Sequence, residues 1–328
     1  MTNMNITLNG TQLFGNCPSS SNPTAEKIGK TFVYCIICVV SLVGNTLIGI
    51  IVCKTRAMRK PINSLIVNMA ISDMLFPLFG FPWILTELLV DSWLISGSLG
   101  QATCKLLPFL QGISPTVSIQ SLVLIAADRF GAVVFPLSYR VSSSKLCLIL
   151  ATWMIAIVIQ FPYILAFKVV KYPDRLVCRP MWNEVFGASF KNHYFVAFSV
   201  VFIFIPLVLI SILYIIIYLK LKSQKIPGEQ SQVKVGQQRE QRERNVLRMA
   251  IAIVIGFAIC WLPITASRIL LVFASHITTS SCGFIAFRFS ASVMAFANSA
   301  INPCICFIFS ANYRQGLQHL FSRTRVIG

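Results

Sequence analysis

Long apolar runs separated by short polar segments divide the chain. Seven stretches, at 31–53, 62–86, 105–128, 146–167, 194–219, 247–271 and 284–309, are apolar over the length of about 20 residues that crosses a bilayer. The first, TFVYCIICVVSLVGNTLIGIIVC, carries no charge. A lone segment in lipid must satisfy its own backbone hydrogen bonds, so all seven are expected to be helices. A buried helix of a soluble protein explains one such stretch, not seven in succession. The expected architecture is an all-α membrane protein, a seven-transmembrane helix bundle over 31–309. Residues 1–30 form a polar N-terminal tail without the apolar region and cleavage site of a removable signal peptide, so the first span is expected to direct insertion. In 310–328, beyond the bundle, a short amphipathic helix and a short cytoplasmic tail are expected. The stretch FSANYRQGLQHLFS puts Phe309, Tyr313, Leu317, Leu320 and Phe321 on one face and Arg314, Gln318 and Arg323 elsewhere.

Composition agrees with this pattern. The chain is 56% hydrophobic and 12% charged, with mean hydropathy +0.75, whereas a soluble domain is nearer half apolar and one quarter charged. The net charge of +18 therefore reads as a cytoplasmic edge facing anionic membrane lipids and not as nucleic-acid binding. Internal repeats are not apparent, which weighs against transporters built from repeated halves. The segment between spans one and two holds Lys54, Arg56, Arg59 and Lys60. Between spans five and six, and at the inner start of the sixth, lie Lys220, Lys222, Lys225, Lys234, Arg239, Arg242, Arg244 and Arg248. The tail adds Arg314, Arg323 and Arg325, against Lys168, Lys171, Arg175 and Arg179 between spans four and five. Positive charge collects inside, so the N-terminus is expected outside, in the plasma membrane. Two N-terminal sequons, at Asn5 and Asn9, agree and are candidate glycosylation sites.

Of eleven cysteines, seven lie in or at spans, where a cysteine is most often a small apolar filler. Cys35 and Cys38 have redox spacing but sit inside a membrane helix and read as filler. Cys17, Cys104, Cys178 and Cys282 fall on the outer side, an oxidising compartment, and their even number suggests two disulfides.

Polar residues within the spans carry the candidate chemistry. Asp73 lies in the second span, Asn45 in the first, Ser118 in the third, Asn298 and Asn302 in the seventh. A lone intramembrane asparagine is most often a packing amide. A mid-span aspartate must be neutral, paired or wet, and is a functional candidate by default. One carboxylate among hydroxyl and amide oxygens, without Cys or His, suits a small hard cation. At the inner end of the third span, Asp128 and Arg129 are adjacent charges; the plain reading is an interface anchor with a snorkelling arginine. Glu243, near the inner start of the sixth span, is placed to pair with Arg129 and to release it on switching.

These residues occur in a familiar order. Gly44-Asn45, Asp73, Trp93, Cys104, Asp128-Arg129-Phe130, Trp153, Pro206, Tyr214, the run Cys260 to Pro263 and Asn302-Pro303 together resemble the rhodopsin-like (class A) G-protein-coupled receptors over nearly the whole chain. The resemblance implies a Cys104–Cys178 disulfide between the third helix and the second outer loop. It implies an allosteric sodium pocket of Asp73, Ser118, Asn298 and Asn302, with Asn45 and Trp261 nearby. Ile119, Pro206 and Phe257 would couple the ligand pocket to the inner face, and Trp261 would floor that pocket. Pro263 and Pro303 would kink the sixth and seventh helices. The implied partners are an extracellular ligand, a heterotrimeric G protein, arrestin and membrane lipids. Two departures stand out. Phe130 replaces the usual tyrosine after the arginine. Cys306 replaces the tyrosine that in the family meets the fifth-helix tyrosine, here Tyr214, through water in the active state.

The ligand class follows from the outer half. The position of the amine receptors' aspartate is Gln111, which disfavours an amine. The opsin lysine position is Phe296, and without a lysine in that span no retinal Schiff base forms. The run PFLQGISPTVS is similar to the third helix of neuropeptide Y, orexin and RFamide-type receptors, where a glutamine serves a peptide ligand. An amide both donates and accepts, which suits an amidated peptide end; a packing amide is the plain alternative. Cys17 and Cys282 resemble the second outer disulfide of angiotensin- and chemokine-type receptors. Arg179, Lys191, Arg268 and Arg288 offer partners for an anionic group, and Glu87 for a basic one; solvated loop charge is the plain reading of most of them. The expected ligand is a neuropeptide, with a small non-amine anionic or lipid ligand as the alternative. A seven-span transporter or channel would need a continuous polar path, whereas the polar residues here form one cluster. An enzyme is disfavoured, because no nucleophile–base pair or metal-ligand spacing appears.

Overall fold

The computed structural model describes residues 23–59, 61–90, 92–135, 145–223, 230–273 and 281–327. The described residues include seven helices long and apolar enough to cross a membrane. The first is Pro23–Lys54. The second, Pro61–Leu85, ends in a π turn, Thr86–Val90. The third is Gly97–Val134 and the fourth Lys145–Ala166. The fifth runs over Phe190–Ser199 and Ile205–Ser223, joined by a π turn at Val200–Phe204. The sixth is Gln230–Phe273, the seventh Cys282–Phe309, and an eighth helix, Ala311–Ile327, follows. Several helices outrun the apolar stretches that announced them. The sixth begins at Gln230 and not at 247, because the polar run before the span is rich in Gln, Glu and Arg, all good helix formers.

Outward faces are apolar. Leu146, Leu150, Met154, Val158, Phe161 and Leu165 of the fourth helix are all exposed, as a lipid-facing surface requires. The core runs between the helices from Tyr34 through Met69, Ile119, Ile210, Phe257 and Trp261 to Tyr313.

One seam shows how sequence sets packing. Pro303 has no N–H, so the carbonyl of Ser299, four residues earlier, loses its helical donor. Asn45 Nδ2 of the first helix donates to that carbonyl at 2.8 Å. The first helix comes this close because Gly44 precedes Asn45. A Cβ on Gly44 would lie 2.7 Å from the Pro303 ring. Gly44, Asn45, Ser299 and Pro303 thus form one joint between the first and seventh helices.

An antiparallel hairpin, β1 (Phe167–Lys171) and β2 (Leu176–Pro180), connects the fourth and fifth helices, with Val169 opposite Cys178. No strand was anticipated here. Cys178 is disulfide-bonded to Cys104 at the outer end of the third helix, with Cα atoms 5.6 Å apart. Gln101 accepts from Val169 N at 3.1 Å through Oε1 and donates to Phe167 O at 3.4 Å, so its amide pairs with the free edge of β1. Trp93 N donates to Leu176 O at 2.7 Å, and Trp93 Nε1 to Gly100 O at 3.2 Å.

Candidate functional site

The polar cluster at mid-bundle is built on Asp73, which is fully buried. Ser118 Oγ donates to Asp73 Oδ1 at 2.6 Å, and Asn302 Nδ2 donates to Asp73 Oδ2 at 2.7 Å. The carboxylate therefore joins the second, third and seventh helices. Ser72, one residue before Asp73, lies 3.0 Å from Ser118 Oγ. Asn298 sits one turn before Asn302 and is buried too, although no hydrogen bond joins it to Asp73. The carboxamide oxygens of Asn45, Asn298 and Asn302 are buried without a protein partner. Buried polar atoms are rarely left so. The linked groups, the Asp73 carboxylate, the Ser72 and Ser118 hydroxyls and the unmet Oδ1 of Asn302, offer hard oxygens alone, which fit a small hard cation.

A second polar joint escaped the sequence reading. Asn68 Nδ2 donates to Ser121 Oγ at 2.9 Å, and Trp153 Nε1 donates to Asn68 Oδ1 at 2.8 Å. One asparagine thus ties the second, third and fourth helices. Gln160 of the fourth helix, also overlooked, donates to Thr116 Oγ1 at 3.0 Å. Gln160 interrupts an apolar run, the signal that marked Asn298 and Asn302, whereas Asn68 lies nearer the polar start of its span.

Towards the outer side, Gln111 packs against Gly80 of the second helix. A Cβ on Gly80 would lie 2.8 Å from Gln111 Nε2 and 3.3 Å from the Phe296 ring. Phe296 meets Phe76 edge-on at 5.2 Å, and Phe76 meets Trp261 at 5.9 Å. Gln111 therefore stands over an aromatic floor shared by the second, sixth and seventh helices. Above it the charges gather. Arg288 is within electrostatic range of Glu87 and Arg268, and Lys191 of Arg288. Arg268 lies 5.6 Å above the Phe195 ring. Arg179 is held elsewhere, over the Tyr172 ring of the hairpin at 5.3 Å. Cys282, at the start of the seventh helix, is disulfide-bonded. Its expected partner Cys17, and the sequons at Asn5 and Asn9, lie outside the described residues.

At the inner side, Arg129 Nη2 pairs with Asp128 Oδ2 at 2.7 Å. Tyr214 is buried and within electrostatic range of Arg129. The side chain of Glu243 lies outside the described residues, so the expected pairing with Arg129 has no geometry here. Ile119, Phe257 and Trp261 belong to one core cluster, with Leu207 beside Pro206 packed against it. Cys306 is fully buried.

The eighth helix differs in detail from its expected face. Phe309 ends the seventh helix and is exposed, because the chain leaves the helix at Ser310. Tyr313 is buried, and Leu317 and Leu320 pack on the core. The side chains of Phe321 and Arg323 lie outside the described residues.

Comparison with known proteins gives two findings. The family described as 7 transmembrane receptor (rhodopsin family) matches residues 44–305. Somatostatin receptor type 5 of Bos taurus is 32% identical over 318 residues, covering 94% of this chain and 79% of that receptor.

Proposed function

The chain belongs to the rhodopsin family of seven-transmembrane receptors, and from that premise we propose that it binds a peptide at its outer mouth and activates a heterotrimeric G protein. Activation opens the inner ends of the fifth and sixth helices. The N-terminus is outside, and arrestin engages the same inner face. The observation that carries the peptide reading is the outer mouth itself. A carboxamide stands over an aromatic floor, beneath three cations and one carboxylate drawn from the second, fifth, sixth and seventh helices. Such a site recognises a backbone end and charged side chains at separate points. The kinship with a receptor named for somatostatin supports a peptide too. Sodium is proposed to bind at Asp73, Ser118, Asn298 and Asn302 and to oppose activation.

The test is a peptide library applied to cells expressing the full chain with a promiscuous G protein. The expected outcome is a peptide that drives nucleotide exchange. Gln111→Ala should weaken its potency about tenfold, the value of one hydrogen bond to a charged or fully desolvated group. A response confined to small anionic compounds would instead favour the three cations as the whole recognition site.

A further inference from the structure

Tyr313, the third residue of the eighth helix, is only 1% exposed and is among the largest fully buried side chains. Its hydroxyl is buried without a protein partner. Burial raises the pKa of that hydroxyl above its ordinary value, so it remains a neutral donor and acceptor. The ring meets Phe307 edge-on at 6.3 Å. The placement is built from both sides. Arg314 Nη1 donates to Phe307 O at 3.2 Å and Ile308 O at 2.5 Å, which closes the seventh helix. Gly316 lets the eighth helix press on the first, since a Cβ there would lie 2.5 Å from Ile51 Cγ2.

The surroundings of the hydroxyl are informative. Cys306 lies within electrostatic range of Tyr313 and of Asp73. It also follows Asn302 by four residues, on the same helix face. Asn302 holds Asp73 through Nδ2, while its Oδ1 has no protein partner. Near both Tyr313 and the carboxylate that Asn302 holds stands a thiol, which donates and accepts weakly. Buried polar groups in such a position are ordinarily joined by water. A mere filler at 313 would be better served by phenylalanine, which brings no hydroxyl to desolvate.

We propose that Tyr313 supplies, from the eighth helix, the buried phenol that the seventh helix lacks at Cys306, its hydroxyl bound through water to Asn302 Oδ1. The junction of the seventh and eighth helices is thereby latched to the Asp73 cluster, and movement of the inner end of the seventh helix must break the latch. Because the latch is a property of the resting protein, its test needs neither ligand nor G protein and is separate from the fate of the peptide reading.

The full chain in lipid nanodiscs, as wild type and Tyr313→Phe, is compared by Tm and by iodoacetamide alkylation of Cys306. Exposed Cys53, one residue before the inner end of the first helix, serves as the internal reference, resolved by peptide mass spectrometry. The expected result is a lower Tm and a Cys306 rate about fivefold higher relative to Cys53, the effect of one hydrogen bond on a two-state opening. The sign decides the matter. A hydroxyl without a partner only burdens the fold, so its removal would leave Tm unchanged or raise it, with Cys306 no faster; that result overturns the latch. A second pair of variants separates polarity from shape. Incorporation of 4-aminophenylalanine at 313 should keep the slow wild-type rate, and 4-methylphenylalanine of similar size should not. Equal rates for the two would also overturn the proposal.

Discussion

At the scale of single residues, the bundle depends on amides that each serve two helices. Asn68 is the clearest case, donating to Ser121 and accepting from Trp153. Asn68→Ala should strand the Trp153 N–H and one bonding capacity of Ser121 in a buried site. The cost of an unmet buried group is about 1–3 kcal/mol. Thermal unfolding of the purified receptor should show a clear fall in Tm for Asn68→Ala, whereas Asn63→Ala, whose amide bonds locally to Met58 O, should cost less. Equal falls would mean that the three-helix joint contributes nothing special. Asp73, Asn45, Asn298 and Asn302 were legible in the sequence because each interrupts a long apolar run. Asn68 was not, because it lies in the first third of its span, beside Asn63, where polar residues are ordinary. The purpose of Gly44 was legible only as part of a motif. That it makes room for the Pro303 ring is a fact of the fold. Tyr313 was read as one more apolar member of a helix face, because sequence spacing says which way a ring points but not whether its hydroxyl is satisfied.

At the scale of elements, length and hydropathy located every span, since only the bilayer demands about 20 apolar residues at a time. Helix ends were less legible. Polar turns outside the lipid still form helix, as at Gly97–Thr103 of the third helix. The β1–β2 hairpin was hidden because its strands are five residues long and carry Lys168, Lys171 and Arg179 among their apolar residues. It is held by the Cys104–Cys178 bond, by Gln101 along β1 and by Trp93 N at Leu176. A native disulfide is typically worth about 2–4 kcal/mol. Cys178→Ser should therefore speed hydrogen exchange at the β1 and β2 amides by about thirtyfold or more. Cys282→Ser removes a different outer bridge and should leave those amides unchanged. If both variants loosened the hairpin equally, the outer surface would unfold as one unit and the third-helix tether would have no separate role.

At the scale of the whole molecule, the hydrogen bonds are unevenly spread. Asp73, Asn45 and Asn68 join the first four helices and the seventh. The sixth helix meets this frame by packing, with Trp261 stacked on Phe257 and edge-on to Phe76, its indole N–H without a protein partner. In the packed arrangement Ser118 and Asn302 hold the Asp73 carboxylate; we propose a second, open arrangement in which the seventh helix bends further at Pro303 and Asn302 leaves the carboxylate. The proposed ion at Asp73 would bind the packed arrangement better and so shift the population towards it. Sodium should therefore raise Tm, by the equivalent of about 1.4 kcal/mol when present at ten times its Kd. The same ion should weaken an agonist that favours the open arrangement, and by reciprocity that agonist should weaken sodium binding by the same factor. The measurement compares sodium chloride with N-methylglucamine chloride at equal ionic strength, so that screening of surface charge is constant. In Asp73→Asn both effects should vanish while the packed fold persists, since an asparagine side chain still offers an oxygen to Ser118. If the variant responded to sodium as the wild type does, the ion would act elsewhere, and the three unmet amide oxygens would be left to water alone.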